Sequence, residues 1–237
     1  ERTHVLAAIP TESGKSLCYQ IPTLATRPRS LVISLHAALT DDQLLALHAL
    51  GVGAQRIHSN RTRAENVDAW RQFQNKTATL LYLSPEALMQ DRMLAALQRL
   101  EVDLFVIDEA HCVSKWGPSF RPDYEDLSRL SELFPDTVIA AFTATADKAT
   151  RSDIVEKLTQ GNAITIVQGF DRPNLRLAVL PKTDWKKQLL EFLEDKRASA
   201  GIVYCRSRKE TERVAAFLLS HQFNAIAYHA RQDNDLR

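Results

Sequence analysis

The sequence predicts a doubly wound α/β fold, a parallel β-sheet with helices on both faces. Two observations carry this. Short runs that are apolar on both faces, such as "VDLFVI" (Val102–Ile107) and "TVIAAF" (Thr137–Phe142), suit strands buried inside a parallel sheet. These runs alternate with helix-like stretches, as crossover connections require. In such a fold, ligands gather at the carboxyl ends of the strands, and the polar motifs of this chain follow its apolar runs directly.

Element by element, "HVLAAI" (His4–Ile9) is a strand that runs into a candidate phosphate loop. "LVIS" (Leu31–Ser34) is the next strand. Thr40-Asp41-Asp42-Gln43 then reads as the capped start of a helix that Gly51 stops. "TATLLYL" (Thr77–Leu83) runs into Ser84-Pro85-Glu86, a cap followed by Pro in the first helical turn. Asp147 caps the helix that follows "TVIAAF". Near Gln168–Pro173 the pattern restarts with "LRLAVL", the helix "DWKKQLLEFLEDK", the strand "GIVYC", the helix "SRKETERVAAFLLS" and the strand "NAIAYH". The expected division is therefore 1–168 and 169–237, the second part being the opening of another α/β domain.

The chain has 237 residues, 45% apolar and 25% charged, with a formal net charge of +1. It can bury a substantial core. It has no global basic field, so nucleic acid would have to meet a local patch. Cys18, Cys112 and Cys205 lie far apart, without zinc spacing. They fit an intracellular reducing compartment and read as small packing residues. The longest apolar runs are strand-length, so no membrane partner is expected, and no signal peptide is apparent. The sequence lacks an initiator Met, opens almost directly on the loop, and reads as a fragment.

That loop is "IPTESGKSLCYQIP" (Ile9–Pro22). The strict phosphate-loop pattern fails, because Ile9 stands at its first glycine. What remains is a strand, then Thr11, Glu12, Ser13, Gly14, Lys15 and Ser16, then a helix. Backbone N–H groups and a helix N-terminus there would face phosphates. Lys15 would reach the terminal phosphates of ATP and Ser16 would ligate Mg²⁺. A plain strand-to-helix turn is the competing reading.

"LFVIDEAH" supplies the second half. Asp108 and Glu109 fall where a strand ends, one placed to hold Mg²⁺ and the next to orient or deprotonate an attacking water. In "FTATAD", the Thr143 and Thr145 hydroxyls can bridge the acidic motif to a nucleic-acid site. "HCVSKWGPSFRPDY" (His111–Tyr124) interleaves Trp116, Phe120 and Tyr124 with Lys115 and Arg121. Such a loop either stacks bases and meets phosphates of single-stranded nucleic acid or tucks its aromatics into the core. The pattern leaves both open.

Taken in order, these motifs, with "FDRPNL" and "GIVYCRSR", resemble the RecQ-type DNA helicases of superfamily 2 from about Ile9 to Tyr228. The resemblance implies two RecA-like lobes, the second truncated here, and an ATP-dependent 3′-to-5′ motor acting on single-stranded and partly duplex DNA in repair and recombination. The compartment would be the bacterial nucleoid or the nucleus. Lys15 and Ser16 match the family's phosphate loop, Asp108 and Glu109 its metal and water-activating acids, and His111 its coupling residue. Trp116, Phe120 and Arg121 match its loop that senses single-stranded DNA, and Thr143 and Thr145 its third motif. "VISLHAALTDDQ" resembles a weakened DNA-contacting motif that keeps Asp42-Gln43.

The departures are Glu12, where the family has glycine, and Arg231, where glycine is usual. The family's Gln motif, arginine finger, and zinc and HRDC modules are not seen. Glycine at the Glu12 position serves positive φ and close approach to phosphate. The loop is therefore expected to keep its path but hold ATP weakly, and these 237 residues alone to be a poor ATPase. The rival reading is a catalytically weakened DNA- or partner-binding module.

Overall fold

The computed structural model describes residues 3–10, 14–26, 28–34, 37–115, 120–144, 146–169 and 174–229; for 37–42 only the backbone is described. The chain divides into two compact units, Glu1–Arg172 and Pro173–Arg237.

The first unit is built on a seven-stranded sheet in which every pairing is parallel. Its strands are β1 (His4–Ala8), β2 (Ser30–Ile33), β3 (Ala54–Arg56), β4 (Leu80–Leu83), β5 (Leu104–Ile107), β6 (Val138–Thr143) and β7 (Ala163–Val167). Their spatial order is β3-β4-β2-β5-β6-β1-β7. Side chains alternate between two cores, as the pleat requires. Leu31 and Ile33 of β2 enter one core, and Val32 between them enters the other. On the first face pack α3 (Arg63–Gln74) through Phe73, α5 (Asp91–Leu97) through Leu94 and Leu97, α7 (Leu130–Leu133) through Leu130, and α8 (Lys148–Thr159) through Ile154 and Leu158. On the second face pack α1 (Lys15–Thr26) through Tyr19 and α2 (Ala37–Ala49) through Leu44 and Leu47.

The punctuation residues explain most boundaries. Ser84 caps the short α4 (Pro85–Leu88) by accepting from the Ala87 N–H, and Asp147 caps α8 by accepting from that of Thr150. Gly51 follows α2 at φ +73° and donates its N–H to the His48 carbonyl. The predicted start of α2 is corrected: the helix begins at Ala37, and Thr40 lies inside it. Ala37, Ala38 and Leu39 are strong helix formers, and they extend the helix ahead of the cap-like signature. Two strands of the first unit lie outside the predicted set. The three-residue β3 is too short to show a period, and β7 precedes the expected domain boundary.

His4, on β1, accepts the Ile139 N–H at Nδ1, 3.0 Å away, and partial burial lowers its pKa from 6.5. Well above pH 6.5 the ring is neutral in both folded and unfolded chains. As pH falls below that value the unfolded chain takes up the proton first, so stability falls until the folded ring titrates too. Urea titrations at about pH 7.5 and about pH 5 should show a loss of stability that His4→Gln makes smaller. An equal loss in both proteins refutes the assignment.

In the second unit, α9 (Trp185–Leu193), capped by Asp184, and α10 (Arg208–Ser220), capped by Ser207, form where the sequence places helices. The expected strands do not: among the described residues of this unit, "LRLAVL", "GIVYC" and "NAIAYH" enter no ladder. An apolar run becomes a strand only beside a partner that takes its backbone hydrogen bonds, and these three runs do not pair with one another. Leu177 and Val179 are 93% and 96% exposed.

Candidate active site at the carboxyl ends of β1, β5 and β6

Three neighbouring strands end together. In the sheet β6 lies between β5 and β1, with Ile107 level with Ala141 and Ala8 level with Thr143. The chain leaving β1 stays in register for one more bond, from the Ile9 N–H to the Thr143 carbonyl (2.9 Å). The strand ends therefore bring together residues more than a hundred positions apart in sequence.

Gly14 precedes α1 at φ +74°. Only Leu17 side-chain atoms come near an added Cβ, the closest at 3.5 Å, so conformation rather than space calls for glycine here. Lys15 opens the helix, and its Nζ lies 4.0 Å from Glu109 Oε1. Ser16 follows in the same turn.

Glu109 has a left-handed backbone, φ 50° and ψ 41°. That conformation is costly for a side chain with a Cβ and concentrates at functional sites. It is held from both sides. The Glu109 N–H donates to Asp108 Oδ1 (2.9 Å), and the Glu109 carbonyl accepts from Cys112 N–H (2.9 Å) as the 3₁₀ turn Ala110–Val113 begins. The Asp108 carbonyl accepts from the hydroxyl of Tyr124 (3.1 Å). The twist turns Glu109 back toward Lys15 and His111.

His111 Nδ1 stands 3.3 Å from Glu109 Oε2 and 3.0 Å from Thr143 Oγ1. A carboxylate so close to that nitrogen favours a proton on it, and an Nδ1–H there can be donated to either oxygen. The result is a continuous line of contacts: Lys15, Glu109, His111, Thr143.

The loop after the acidic pair resolves into two roles. Tyr124, on α6 (Pro122–Glu125), is fully buried in the core, and burial pushes its phenol pKa well up. For this aromatic the core reading holds. Phe120 is half-buried, with Lys115 Nζ 5.6 Å from its ring centre, and Arg121 is exposed. Lys115 also pairs with Glu125 at 2.7 Å, the chief reason that carboxyl titrates low. Lys157 of α8 joins the same carboxylate at 3.7 Å and donates to the Val113 carbonyl at 3.1 Å. Cys112 is buried, with its thiol pKa raised by that burial, as suits packing rather than nucleophilic chemistry.

The family profile of the DEAD/DEAH box helicases matches residues 1–154. The chain belongs to that family. This helicase domain is 40% identical over 236 residues to the ATP-dependent DNA helicase RecQ of Haemophilus influenzae, covering 98% of this chain and 38% of that protein. It is 36% identical over 237 residues to the protein of the same name from Bacillus subtilis, covering 100% and 40%. The chain thus spans well under half the length of these relatives. Among solved structures, a DUF1998 helicase, MrfA, bound to DNA and AMPPNP superposes with a TM-score of 0.69 at 19% identity, over 95% of this chain and 34% of that one. That likeness concerns the fold, and with it the RecA-like parallel sheet is established.

Of the residues the sequence singles out in this helicase domain, the fold brings Lys15, Glu109, His111 and Thr143 into contact and sets Asp108 beside them. Thr11, Glu12, Ser13, Trp116, Thr145 and Arg231 lie outside the described residues. The sequence does not single out Tyr124 as a support of the acidic pair, nor the buried polar group of Tyr19, Gln20 and Tyr82 beneath the site. The signal for the second was polar side chains set within apolar runs, which no local pattern distinguishes from solvent-facing ones.

Proposed function

We propose that the chain is the nucleotide-hydrolysing part of a RecQ-type ATP-dependent DNA helicase, with residues 1–168 as the first RecA-like lobe and 169–237 as part of a second. It would translocate 3′ to 5′ on single-stranded DNA and open partly duplex DNA in repair and recombination, inside a reducing compartment. The observation that carries the reading is the Lys15–Glu109–His111–Thr143 line across three strand ends.

The residues present fit ATP with Mg²⁺. Gly14, the Lys15 ammonium and the first turn of a twelve-residue helix form an anion-binding end. Ser16 and Asp108 offer two oxygen ligands, and among the described residues no group of three or more His, Cys, Asp or Glu forms a cage for a metal ion. Two protein oxygens, with phosphates and waters completing the shell, suit Mg²⁺. Bound there, Mg²⁺ would neutralise charge that develops on the phosphates. Lys15 would exchange its contact with Glu109 for phosphate oxygens, and the freed carboxylate would orient water and take its proton. His111, donating through Nδ1, keeps Glu109 aimed and joins it to Thr143. Lys115, Phe120, Arg121 and Trp116 would meet the DNA strand.

The test is ATP hydrolysis by the full protein, of which these residues are a part, with and without single-stranded DNA, beside Lys15→Ala. Stimulation of at least about tenfold, lost in the variant, is expected, since removing groups that act on the transferring phosphate costs orders of magnitude. Equal turnover by Lys15→Ala overturns the site. DNA binding without turnover in the wild type favours the weakened binding module instead.

A further inference from the structure

The acidic pair sits where β5 gives way to the 3₁₀ turn, and the backbone bonds change character there. The Asp108 N–H still donates to the Ile33 carbonyl of β2 at 3.0 Å, one bond beyond the strand. The Asp108 carbonyl accepts from a side chain, the hydroxyl of Tyr124, at 3.1 Å and sixteen residues away in sequence. That carbonyl and the Glu109 N–H belong to one planar peptide unit. The N–H donates to Asp108 Oδ1 at 2.9 Å. The unit is therefore held at both ends, and from it Glu109 departs at φ 50° and ψ 41°.

Tyr124 is well placed to hold its end. Its ring is buried in the first core, with Cys112, Leu127 and Leu130. The Arg121 N–H, at the start of α6, donates to the Cys112 carbonyl at 3.0 Å, so the helix carrying Tyr124 is tied to the turn that follows Glu109. Packing does not require the hydroxyl. A phenylalanine fills the same space without a polar group to satisfy, and a buried hydroxyl is tolerated when it has a partner. What the hydroxyl adds is a fixed donor to a peptide that leads into a costly conformation. The direction of the Glu109 side chain depends on that conformation. In the left-handed turn its carboxylate lies 4.0 Å from Lys15 Nζ and 3.3 Å from His111 Nδ1. A return to the favoured negative φ swings the Cβ to another side of the chain and breaks both contacts.

We infer that Tyr124 is a positioning residue for ATP hydrolysis: its hydroxyl fixes the Asp108–Glu109 peptide so that the Glu109 carboxylate faces Lys15 and His111. The inference rests on the proposed ATP-hydrolysing reading and adds to it the group that aims the base. Tyr124 is buried beneath the acidic pair and acts through Glu109 alone. Its loss therefore lowers turnover and leaves nucleotide affinity in place.

The experiment measures kcat and KM for ATP in the full protein, for wild type, Tyr124→Phe, Glu109→Gln and the double variant. Tyr124→Phe should lower kcat roughly 10- to 100-fold, the cost of a catalytic group displaced by about 1 Å, with KM within about twofold. In the Glu109→Gln background the same change should leave the residual rate within about twofold, because no base remains to be aimed. A loss of equal size in both backgrounds marks a general structural role and overturns the inference. Unchanged kcat in Tyr124→Phe overturns it too, as does a rise in KM that matches the fall in kcat. Where Tyr124→Phe does not fold, 4-aminophenylalanine and 4-methylphenylalanine at position 124 replace it, since they share a shape and differ in the donor. Turnover kept by the amine and lost by the methyl supports the inference, and equal turnover overturns it. Each overturning result leaves the proposed function standing. A wild-type protein that hydrolyses no ATP, with or without single-stranded DNA, removes the proposed function and this inference together.

Discussion

Glu109→Gln is expected to lower ATP turnover by at least about 100-fold while nucleotide binding changes little, because a positioned general base contributes roughly 10²–10⁴ in rate. The substitution keeps the shape and removes only the charge and the proton-accepting oxygen. The neighbourhood makes the result diagnostic. Lys15 Nζ stands 4.0 Å from one carboxylate oxygen and His111 Nδ1 3.3 Å from the other, so the lost charge is felt by both. Glutamine still offers an amide oxygen to one of them, which should preserve the fold. The companion variant is Glu109→Gly. It removes the carboxylate and also the Cβ that makes φ 50° costly. Its turnover should be as low as that of the glutamine variant, while thermal stability holds or rises by about 0.4–1 kcal/mol, less the lost side-chain contacts. Rates together with melting temperatures check both. A Glu109→Gln enzyme within about twofold of wild type would place the base elsewhere.

Gly53→Ala should be among the most damaging single-methyl changes in the first unit. Gly53 precedes β3, and its carbonyl accepts from the Thr79 N–H (2.9 Å). A Cβ there would sit 2.1 Å from the Thr77 carbonyl oxygen, 3.1 Å from its carbon and 3.2 Å from Ala78 Cα. All three are backbone atoms, so no rotamer change can make room. Relief requires β3 to move away from the segment leading into β4, and among the described residues β3 pairs only with β4. Overpacking of this kind costs about 3 kcal/mol, which lowers the melting temperature by roughly 6–12 °C in a chain of this size. Gly51→Ala is the control. Gly51 has φ +73° but open space around it, so only the conformational cost of about 1 kcal/mol applies. Calorimetry on both variants separates steric from conformational need, and equal losses would refute the distinction.

Two side-chain clusters around the acidic pair carry different functions. Tyr124, His111 and Thr143 hold the acids in place from beneath and beside them. Lys115, Lys157 and Glu125 tether the loop that follows to α8 by ion pairs. Of these, the Lys115–Glu125 pair is solvent-accessible, so it is the easier to exchange for another partner such as a phosphate.

Much of this was legible in the residues alone. Runs apolar on both faces announce buried parallel strands, and Ser84, Asp147 and Gly51 mark helix boundaries through their own side chains or their lack of one. Those signals are local, since a period or a cap is complete within a few residues. For the same reason the sequence by itself determined the class of fold and the candidate motifs of the nucleotide site. Tertiary structure alone decided the rest. The order β5-β6-β1 is what sets Thr143 against His111, 32 residues away, and the packing of α1 and α2 on one face of the sheet sets Tyr19 against Gln43, 24 residues away. The left-handed turn at Glu109 belongs to a residue type that does not favour it, and neighbouring hydrogen bonds hold it there. The second unit shows the converse: its apolar runs carry a strand signal, yet a strand exists only when another backbone takes up its hydrogen bonds, and no local pattern supplies that partner.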